Sequence, residues 1–177
     1  MIVTLDEEQM LDRWCRHKHL GPLRMDASVV RSDLFDIRAM MLAEMRGWYG
    51  RVLRKAPLHF LGLKDMSKVV NLIDCGEGIY EVALPVGVVR VGEVVINGWE
   101  APALVVAPDS HEAKAQANPF GRGGSCHPVV VRYPGRLRFY IGENRGAVVI
   151  ERLTAVVDDG TYQLDDSLLD FREYVCE

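Results

Sequence analysis

The chain has 177 residues, of which 49% are hydrophobic and 26% are charged, and its formal net charge is −4. A chain of this length buries about 70% of the surface that its unfolded form exposes, and this composition excludes a disordered or low-complexity protein. The negative net charge disfavours general binding to nucleic acid, because such binding relies on basic patches that release counterions.

The start of the chain and its apolar runs predict a soluble intracellular protein. Three acids within the first ten residues occupy positions where a secretory signal would need positive charge. The apolar run at 82–89 is interrupted by Pro85 and Gly87 and is too short to cross a bilayer. The cysteines form no C-x-x-C pair, which favours unpaired thiols in a reducing compartment; they are Cys15, Cys75, Cys126 and Cys176.

The first predicted element is a helix at 5–18. Thr4 followed by Glu7 has the spacing of a capping box. The apolar residues after it recur at helical spacing; they are Met10, Leu11, Trp14 and Cys15. Gly21-Pro22 should end this helix.

A second, longer helix is predicted after an Asp33 cap and is closed by Pro57. Its apolar positions step by three or four residues; they are Leu34, Ile37, Met41, Met45, Trp48 and Val52. A weaker helical pattern follows at 64–72. Gly76-Glu77-Gly78 then indicates the change from helical periodicity to strands.

The rest of the chain has the signals of an antiparallel sheet. Asn97-Gly98 predicts a tight hairpin in which residues 99–106 return beside residues 89–96, and Pro102 predicts that the returning strand lies at an edge or carries a bulge. Residues 110–117 favour a short helix, and residues 118–127 have the composition of a loop.

Two further strand signals and a terminal helix follow this loop. Residues 129–133 and 136–141 predict a second hairpin, with Leu137, Phe139 and Ile141 on its buried face. Another strand is predicted at 147–157, followed by a turn at Asp159-Gly160. Asp165 or Asp166 should then cap a terminal helix; its apolar positions are Leu168, Phe171 and Val175.

Together these elements predict an α+β fold in three regions. Residues 1–75 are expected to be helical and residues 76–164 to be an antiparallel β-rich region. Residues 165–177 are expected to form a C-terminal helix that packs back on the chain or docks to a partner.

No motif in the chain predicts a catalytic centre, a cofactor site or a metal site. The glycine-rich segment 121–125 lacks the G-K-[ST] ending of a phosphate-binding loop. Cys126 and His127 are adjacent in sequence, but a nucleophile and its base must converge in space with a third, orienting group. His17 and His19 point to different sides of a helix, which is unsuitable for zinc. We therefore expect a protein that is not an enzyme.

Four segments of the chain resemble the head-to-tail connector proteins of tailed bacteriophages and prophages, which include portal adaptor, ring and tail tubular-like proteins. The resemblance covers residues 25–170 and rests on Glu44-Met-Arg-Gly-Trp-Tyr49, Leu84-Pro85, Ile96-Asn-Gly-Trp99 and Asn118-Pro-Phe-Gly-Arg122.

The resemblance implies a structural subunit without a cofactor, made in the bacterial cytoplasm and located in the neck of the virion. Such a subunit forms a homo-oligomeric ring, with twelve-fold symmetry, between the portal protein and the tail or a second ring protein. DNA would pass through its channel without specific binding, and no membrane would be involved. The candidate interface residues are Trp99, Asn118, Phe120, Arg122, Phe171 and Tyr174.

Two alternatives to this assignment stay open from the sequence. One is a small cytoplasmic enzyme that uses Cys126 and His127 as nucleophile and base. The other is a generic protein-binding module built on the β-rich part of the chain. Trp99 bears on the interface hypothesis, because a large aromatic residue directly after a hairpin turn is less easily buried within a monomer.

Overall fold

A computed structural model describes residues 1–18, 36–141 and 147–171 of the chain. These residues form a mixed α and β structure, which confirms the predicted α+β class. The α-helices in this part of the chain are α1 (Glu7–His17), α2 (Ile37–Lys55) and α3 (His111–Gln116). The strands are β1 (Ile2–Leu5), β2 (Lys64–Asp65), β3 (Leu72–Gly76), β4 (Ile79–Ala83), β5 (Val88–Ile96), β6 (Leu104–Val106), β7 (Val129–Tyr133), β8 (Arg136–Tyr140), β9 (Ile150–Val157) and β10 (Tyr162–Asp165). Short 3-10 helices lie at Leu58–Phe60, Pro119–Gly121 and Asp166–Asp170.

The chain divides into two compact units. The first contains Met1–Gly62 together with Asp158–Glu177, and the second contains Leu63–Val157. The chain returns to the first unit because β10 pairs with β1 near the start of the chain. The predicted division into regions 1–75, 76–164 and 165–177 stays a prediction.

In the first unit, β1 and α1 are joined by an Asp6 cap. The Asp6 side chain accepts a hydrogen bond from the backbone of Gln9, and the Gln9 side chain accepts one from the backbone of Asp6. The predicted capping box of Thr4 and Glu7 is therefore wrong, because Thr4 lies in β1 and pairs with Gln163. The capping box is formed by Asp6 and Gln9 instead, directly after the strand ends at Leu5.

Both helices of the first unit bury the faces that their periodicity predicted. The buried residues of α1 are Met10, Leu11, Trp14 and Cys15, and those of α2 are Met41, Met45, Trp48, Tyr49, Val52 and Leu53. The α2 helix is described from Ile37 onward, with Asp36 as its N-cap. Ile37 is half-buried, and the predicted cap at Asp33 and the predicted apolar position Leu34 lie outside the described residues.

An aromatic cluster connects these helices to the end of the described chain. Phe171 packs 5.1 Å from both Trp14 and Trp48, measured between ring centroids. Phe171 also ends the 3-10 helix at Asp166–Asp170, where its φ of 52° is left-handed. The predicted α-helix through Phe171 is therefore wrong, because this backbone conformation cannot continue a helix. Asp165 does act as the cap, and Val175 lies outside the described residues.

Tyr49 forms a buried polar contact within the first unit. Its hydroxyl donates to the carbonyl of Thr161 at 3.1 Å and accepts from the backbone amide of Gln163 at 3.1 Å. Burial raises the pKa of Tyr49 to about 12, because the charged phenolate would lose its hydration.

Tyr49→Phe should lower the free energy of unfolding by about 1–3 kcal/mol, because the amide of Gln163 would lose its acceptor. The pKa of Tyr49 is higher in the folded chain than in an unfolded chain, where it is about 10. The protonated Tyr49 hydroxyl therefore contributes its full share to the free energy of unfolding below about pH 10. That contribution is lost as the pH rises through about 12, the pKa in the folded chain. Urea unfolding at neutral and alkaline pH measures both effects. A Tyr49→Phe protein with wild-type stability at neutral pH would contradict the assignment.

The second unit contains two sheets around one core. Its three-stranded sheet has the order β2-β9-β5, and its five-stranded sheet has the order β3-β4-β8-β7-β6. The predicted hairpin of β7 and β8 is confirmed, with Leu137, Phe139 and Ile141 buried. The predicted helix at 110–117 is also confirmed as α3, capped by Ser110.

Three predictions for the second unit are wrong in part. Residues 64–72 form no α-helix, because they contain β2, a turn and the start of β3. Gly76 ends β3 and Glu77-Gly78 form the turn to β4, so this segment is not a boundary between helix and strand; both glycines have positive φ. The turn at Asn97-Gly98 exists, but β5 pairs with β9, while β6 pairs in parallel with β7. β6 does lie at a sheet edge, as Pro102 predicted.

Candidate interaction surface

The segment between α3 and β7 presents Phe120 at the surface of the second unit. The Asn118 side chain accepts a hydrogen bond from the Phe120 amide at 3.0 Å and caps the short 3-10 helix. Pro119 occupies the first position of that helix, where its fixed φ is favourable. The side chain of Phe120 is 99% exposed. The loop is thus ordered by its own caps while its largest apolar side chain stays in water.

Arg122 fastens this loop to the neighbouring turn of the sheet. Its Nη1 atom donates to the carbonyl of Glu77 at 2.7 Å, and its Nε atom donates to the carbonyl of Gln116 at 3.4 Å. Its guanidinium also lies 5.7 Å from the ring centroid of Tyr140. These contacts fix the base of the loop, so Arg122 positions Phe120 from within the same chain. Its predicted contact with a neighbouring subunit stays a prediction.

A second set of contacts closes the loop on its other side. Gln116 is buried, and its side-chain oxygen accepts from the amide of Gly123 at 3.4 Å. A Cβ atom at Gly123 would lie 1.9 Å from the carbonyl oxygen of His127, so only glycine allows the chain to pass there. The glycine at position 123 therefore allows the backbone there to pass close to the backbone of His127.

Cys126 contacts a carboxylate instead of its sequence neighbour His127. The Cys126 thiol donates to Glu100 Oε2 at 3.3 Å, and the Ser125 hydroxyl donates to Glu100 Oε1 at 3.3 Å. Both Cys126 and His127 are exposed. Among the described residues, the hydrogen bonds of Cys126 thus join it to Glu100 and Ser125, with no hydrogen bond to an imidazole base.

Cys126→Ala should change the free energy of unfolding by no more than about 0.5 kcal/mol, because the side chain is exposed and makes only weak hydrogen bonds. Oligomerisation should also be unchanged. Urea unfolding and light scattering of the variant check both expectations, with Ser125→Ala as a matched control in the same cluster. A marked loss of any binding or catalytic property in Cys126→Ala alone would favour the enzyme alternative.

A cleft opens at the other end of the five-stranded sheet. Its volume is about 560 Å³. We call it the Arg132 cleft, and it is lined by Arg90, Val91, Val105, Val106, Ala107, Pro108, Arg132, Tyr133 and Pro134. Arg132 donates to the carbonyl of Val89 at 2.7 Å, so a neutral backbone acceptor orients this guanidinium. The cleft thus combines apolar walls with positive charge.

Charged side chains flank Tyr133 beside this cleft. The guanidinium groups of Arg136 and Arg138 lie 5.2 Å and 5.0 Å from its ring centroid. Both arginines also pair with Glu81, and the hydrogen bond from Arg138 is the main cause that lowers the pKa of Glu81 below its usual value. The Tyr133 ring is therefore held in place at the rim of the cleft.

The predicted interface residues occupy different environments. Trp99 is only 9% exposed and stacks on Phe139 with 6.2 Å between centroids, so the expectation that it is not easily buried within one chain is wrong. Phe171 is 6% exposed within the aromatic cluster of the first unit. Asn118 and Arg122 hold the loop, and Phe120 faces solvent. Tyr174 lies outside the described residues.

Sequence reasoning missed the Arg132 cleft. Its lining comes from β5, from β6 with the turn after it, and from the β7–β8 hairpin. The sequence of each segment is typical of an ordinary strand or turn, so no local sequence pattern predicts the cleft. Only the parallel pairing of β6 with β7 brings Val106 and Tyr133 to the same end of the sheet.

Comparison of the chain with protein-family models, with curated proteins and with solved structures finds no match. Within residues 1–18, 36–141 and 147–171, no group of histidine, cysteine or acidic side chains is arranged to hold a metal ion. None of the helices described in those ranges has the length and apolar character needed to span a membrane.

Proposed function

We propose that this chain is a structural subunit of a head-to-tail connector ring in a tailed bacteriophage or prophage. In this role it binds beneath the portal protein, joins the portal to the tail or to a second ring, and catalyses no reaction. The sequence segments at 44–49, 84–85, 96–99 and 118–122 support the proposal through their resemblance to connector proteins.

The observation that carries the proposal is the exposed Phe120 on an internally fastened loop. Keeping a phenylalanine side chain in water forfeits about 1.5–3 kcal/mol of hydrophobic stabilisation, which is recovered when a partner buries it. Aromatic side chains, including phenylalanine, are enriched at protein interfaces relative to the rest of the surface. Because Asn118 and Arg122 already order the loop, binding a partner would cost little conformational entropy.

The charge of the chain supports a role around translocating DNA. The net charge is −4, and the segment 158–177 contains seven acids against Arg172 alone. Like charges reduce adhesion of phosphate groups to a channel surface. A ring of such subunits would let DNA pass without specific binding.

Electron microscopy and light scattering of the purified chain, alone and with the portal protein encoded in the same genome, test this proposal. We expect ring-shaped oligomers or a stable complex with the portal. A chain that stays monomeric in both samples and binds no portal would contradict it. A gene position beside portal and capsid genes would provide independent support.

A further inference from the structure

Asn97 continues the pairing of β5 with β9 beyond the last residue of β5. Its backbone amide donates to the carbonyl of Val149 at 3.0 Å. Its side chain adds two hydrogen bonds, because Oδ1 accepts from the amide of Val149 at 2.8 Å and Nδ2 donates to the carbonyl of Ala147 at 2.9 Å. Both polar atoms of the Asn97 carboxamide are therefore held on the segment 147–149.

The residue after Asn97 makes the same carboxamide chemically vulnerable. Gly98 has a φ of 78° and lies with Asn97 at the centre of a turn, which the amide of Trp99 closes on the carbonyl of Ile96 at 3.2 Å. Glycine has no side chain to hinder an attack by its backbone nitrogen, so Asn-Gly is the asparagine sequence most prone to deamidation. Each of the other asparagines precedes a residue other than glycine; these residues are Leu72, Pro119 and Arg145.

We propose that Asn97 is a site of covalent modification by deamidation, and that its side-chain hydrogen bonds suppress the reaction in the folded chain. In this reaction the backbone nitrogen of Gly98 attacks Cγ of Asn97. The new N–Cγ bond replaces the Cγ–Nδ2 bond, and ammonia leaves with the proton of the Gly98 amide. Water then opens the succinimide ring at either carbonyl and leaves aspartate or isoaspartate at position 97. The inference is independent of the connector role.

The hydrogen bonds oppose the reaction through geometry. Ring closure requires Cγ of Asn97 to lie against the nitrogen of Gly98, whereas the carboxamide is held on Val149 and Ala147 instead. The side chain must first leave these two partners. The rate in the folded chain is therefore the rate in an open chain multiplied by the fraction of time that this part of the second unit is open.

Deamidation should in turn weaken the second unit. An ionised aspartate still accepts from the amide of Val149, but it has no N–H to donate to the carbonyl of Ala147, and its negative charge would face that carbonyl. Isoaspartate also adds a carbon to the backbone two residues before Trp99, which is buried against Phe139. The modified chain should therefore unfold more readily than the unmodified chain.

The effect of the product can be measured without waiting for the reaction. Asn97→Asp should shift the midpoint of urea unfolding to a lower concentration than in the wild type. Asn71→Asp adds the same charge at an exposed position and is the matched control, whose midpoint should equal that of the wild type. Equal midpoints for Asn97→Asp and Asn71→Asp would contradict the structural role of the carboxamide.

The reaction itself is measured by mass-spectrometric peptide mapping of the full chain after incubation at mildly alkaline pH. Deamidation at Asn97 should be at least about 10-fold slower in the folded chain than in denaturing urea, because two hydrogen bonds must open first. In urea it should be faster than at Asn71, and Gly98→Ala should slow it, because a methyl group hinders the attack. Equal rates at Asn97 in the folded and unfolded chains, or a rate in urea no faster than at Asn71, would overturn the inference.

Hydrogen exchange tests whether the proposed opening controls the rate. The amide of Val149 donates to the Asn97 side chain, so it exchanges with solvent only when this hydrogen bond breaks. At urea concentrations below the unfolding transition, exchange at Val149 and deamidation at Asn97 should accelerate together. Deamidation that keeps a constant rate while exchange at Val149 accelerates would show that these hydrogen bonds do not suppress the reaction.

Discussion

Replacing Phe139 by alanine is expected to lower the free energy of unfolding of the second unit by about 3–5 kcal/mol. Phe139 has 0% exposure in the core of this unit and stacks on Trp99. In the sheet it lies between Tyr80 of β4 and Val130 of β7. Removing the ring loses buried apolar surface and leaves a cavity. The cavity stays partly open, because hydrogen bonds to both neighbouring strands hold the backbone of β8 in place.

The matched control for this prediction is the same substitution at Phe120. Its side chain is 99% exposed, so Phe120→Ala should change stability by no more than about 0.5 kcal/mol. Urea unfolding, followed by near-ultraviolet circular dichroism of the aromatic residues, measures both variants. Equal losses of stability in the two variants would show that the assigned core and surface are incorrect.

Replacing Phe171 by alanine is expected to destabilise the first unit by about 3–5 kcal/mol. Its ring meets Trp14 and Trp48 edge-on at 5.1 Å and lies 5.3 Å from His17. These contacts pack α1 and α2 against the 3-10 helix at Asp166–Asp170. The variant should therefore lose tryptophan signal in near-ultraviolet circular dichroism at lower urea than the wild type does.

A second substitution at the same position separates packing from backbone strain. Phe171 has a φ of 52°, which costs a residue with a Cβ atom about 1–2 kcal/mol. Glycine avoids this cost but adds about 0.5–1 kcal/mol of chain entropy to folding. Phe171→Gly should accordingly be at least as stable as Phe171→Ala. A markedly less stable glycine variant would contradict the left-handed conformation at this position.

The left-handed Phe171 also explains why the terminal helix was predicted incorrectly. The sequence after Asp165 has a good cap and apolar residues at helical spacing, and the cap is indeed used. Burial of the Phe171 ring between two tryptophans outweighs the local preference for continuing the helix. Such a competition is invisible in the local pattern, because Trp14 and Trp48 are far away in sequence.

The candidate site was predictable only in its local part. The loop at 118–127 follows from its proline and glycine content, and Phe120 was among the predicted interface residues. Trp99 had the same prediction, yet it is buried against Phe139. The turn before Trp99 does not specify whether the tryptophan side chain faces the core or the solvent. The sequence therefore could not show that Trp99 is buried and Phe120 is exposed.

The amino-acid sequence by itself determined the elements whose signals are local. The buried faces of α1 and α2, the Ser110 cap and the hairpin of β7 and β8 depend on periodicity and turn chemistry within a few residues. The tertiary structure alone decided that β1 pairs with β10, that β5 pairs with β9 and that β6 joins β7 in parallel. The physical reason is that strands pair through backbone hydrogen bonds, which nearly every residue can form, so the choice of partner depends on how the whole core packs. That choice places Phe120 and the Arg132 cleft at opposite ends of one sheet.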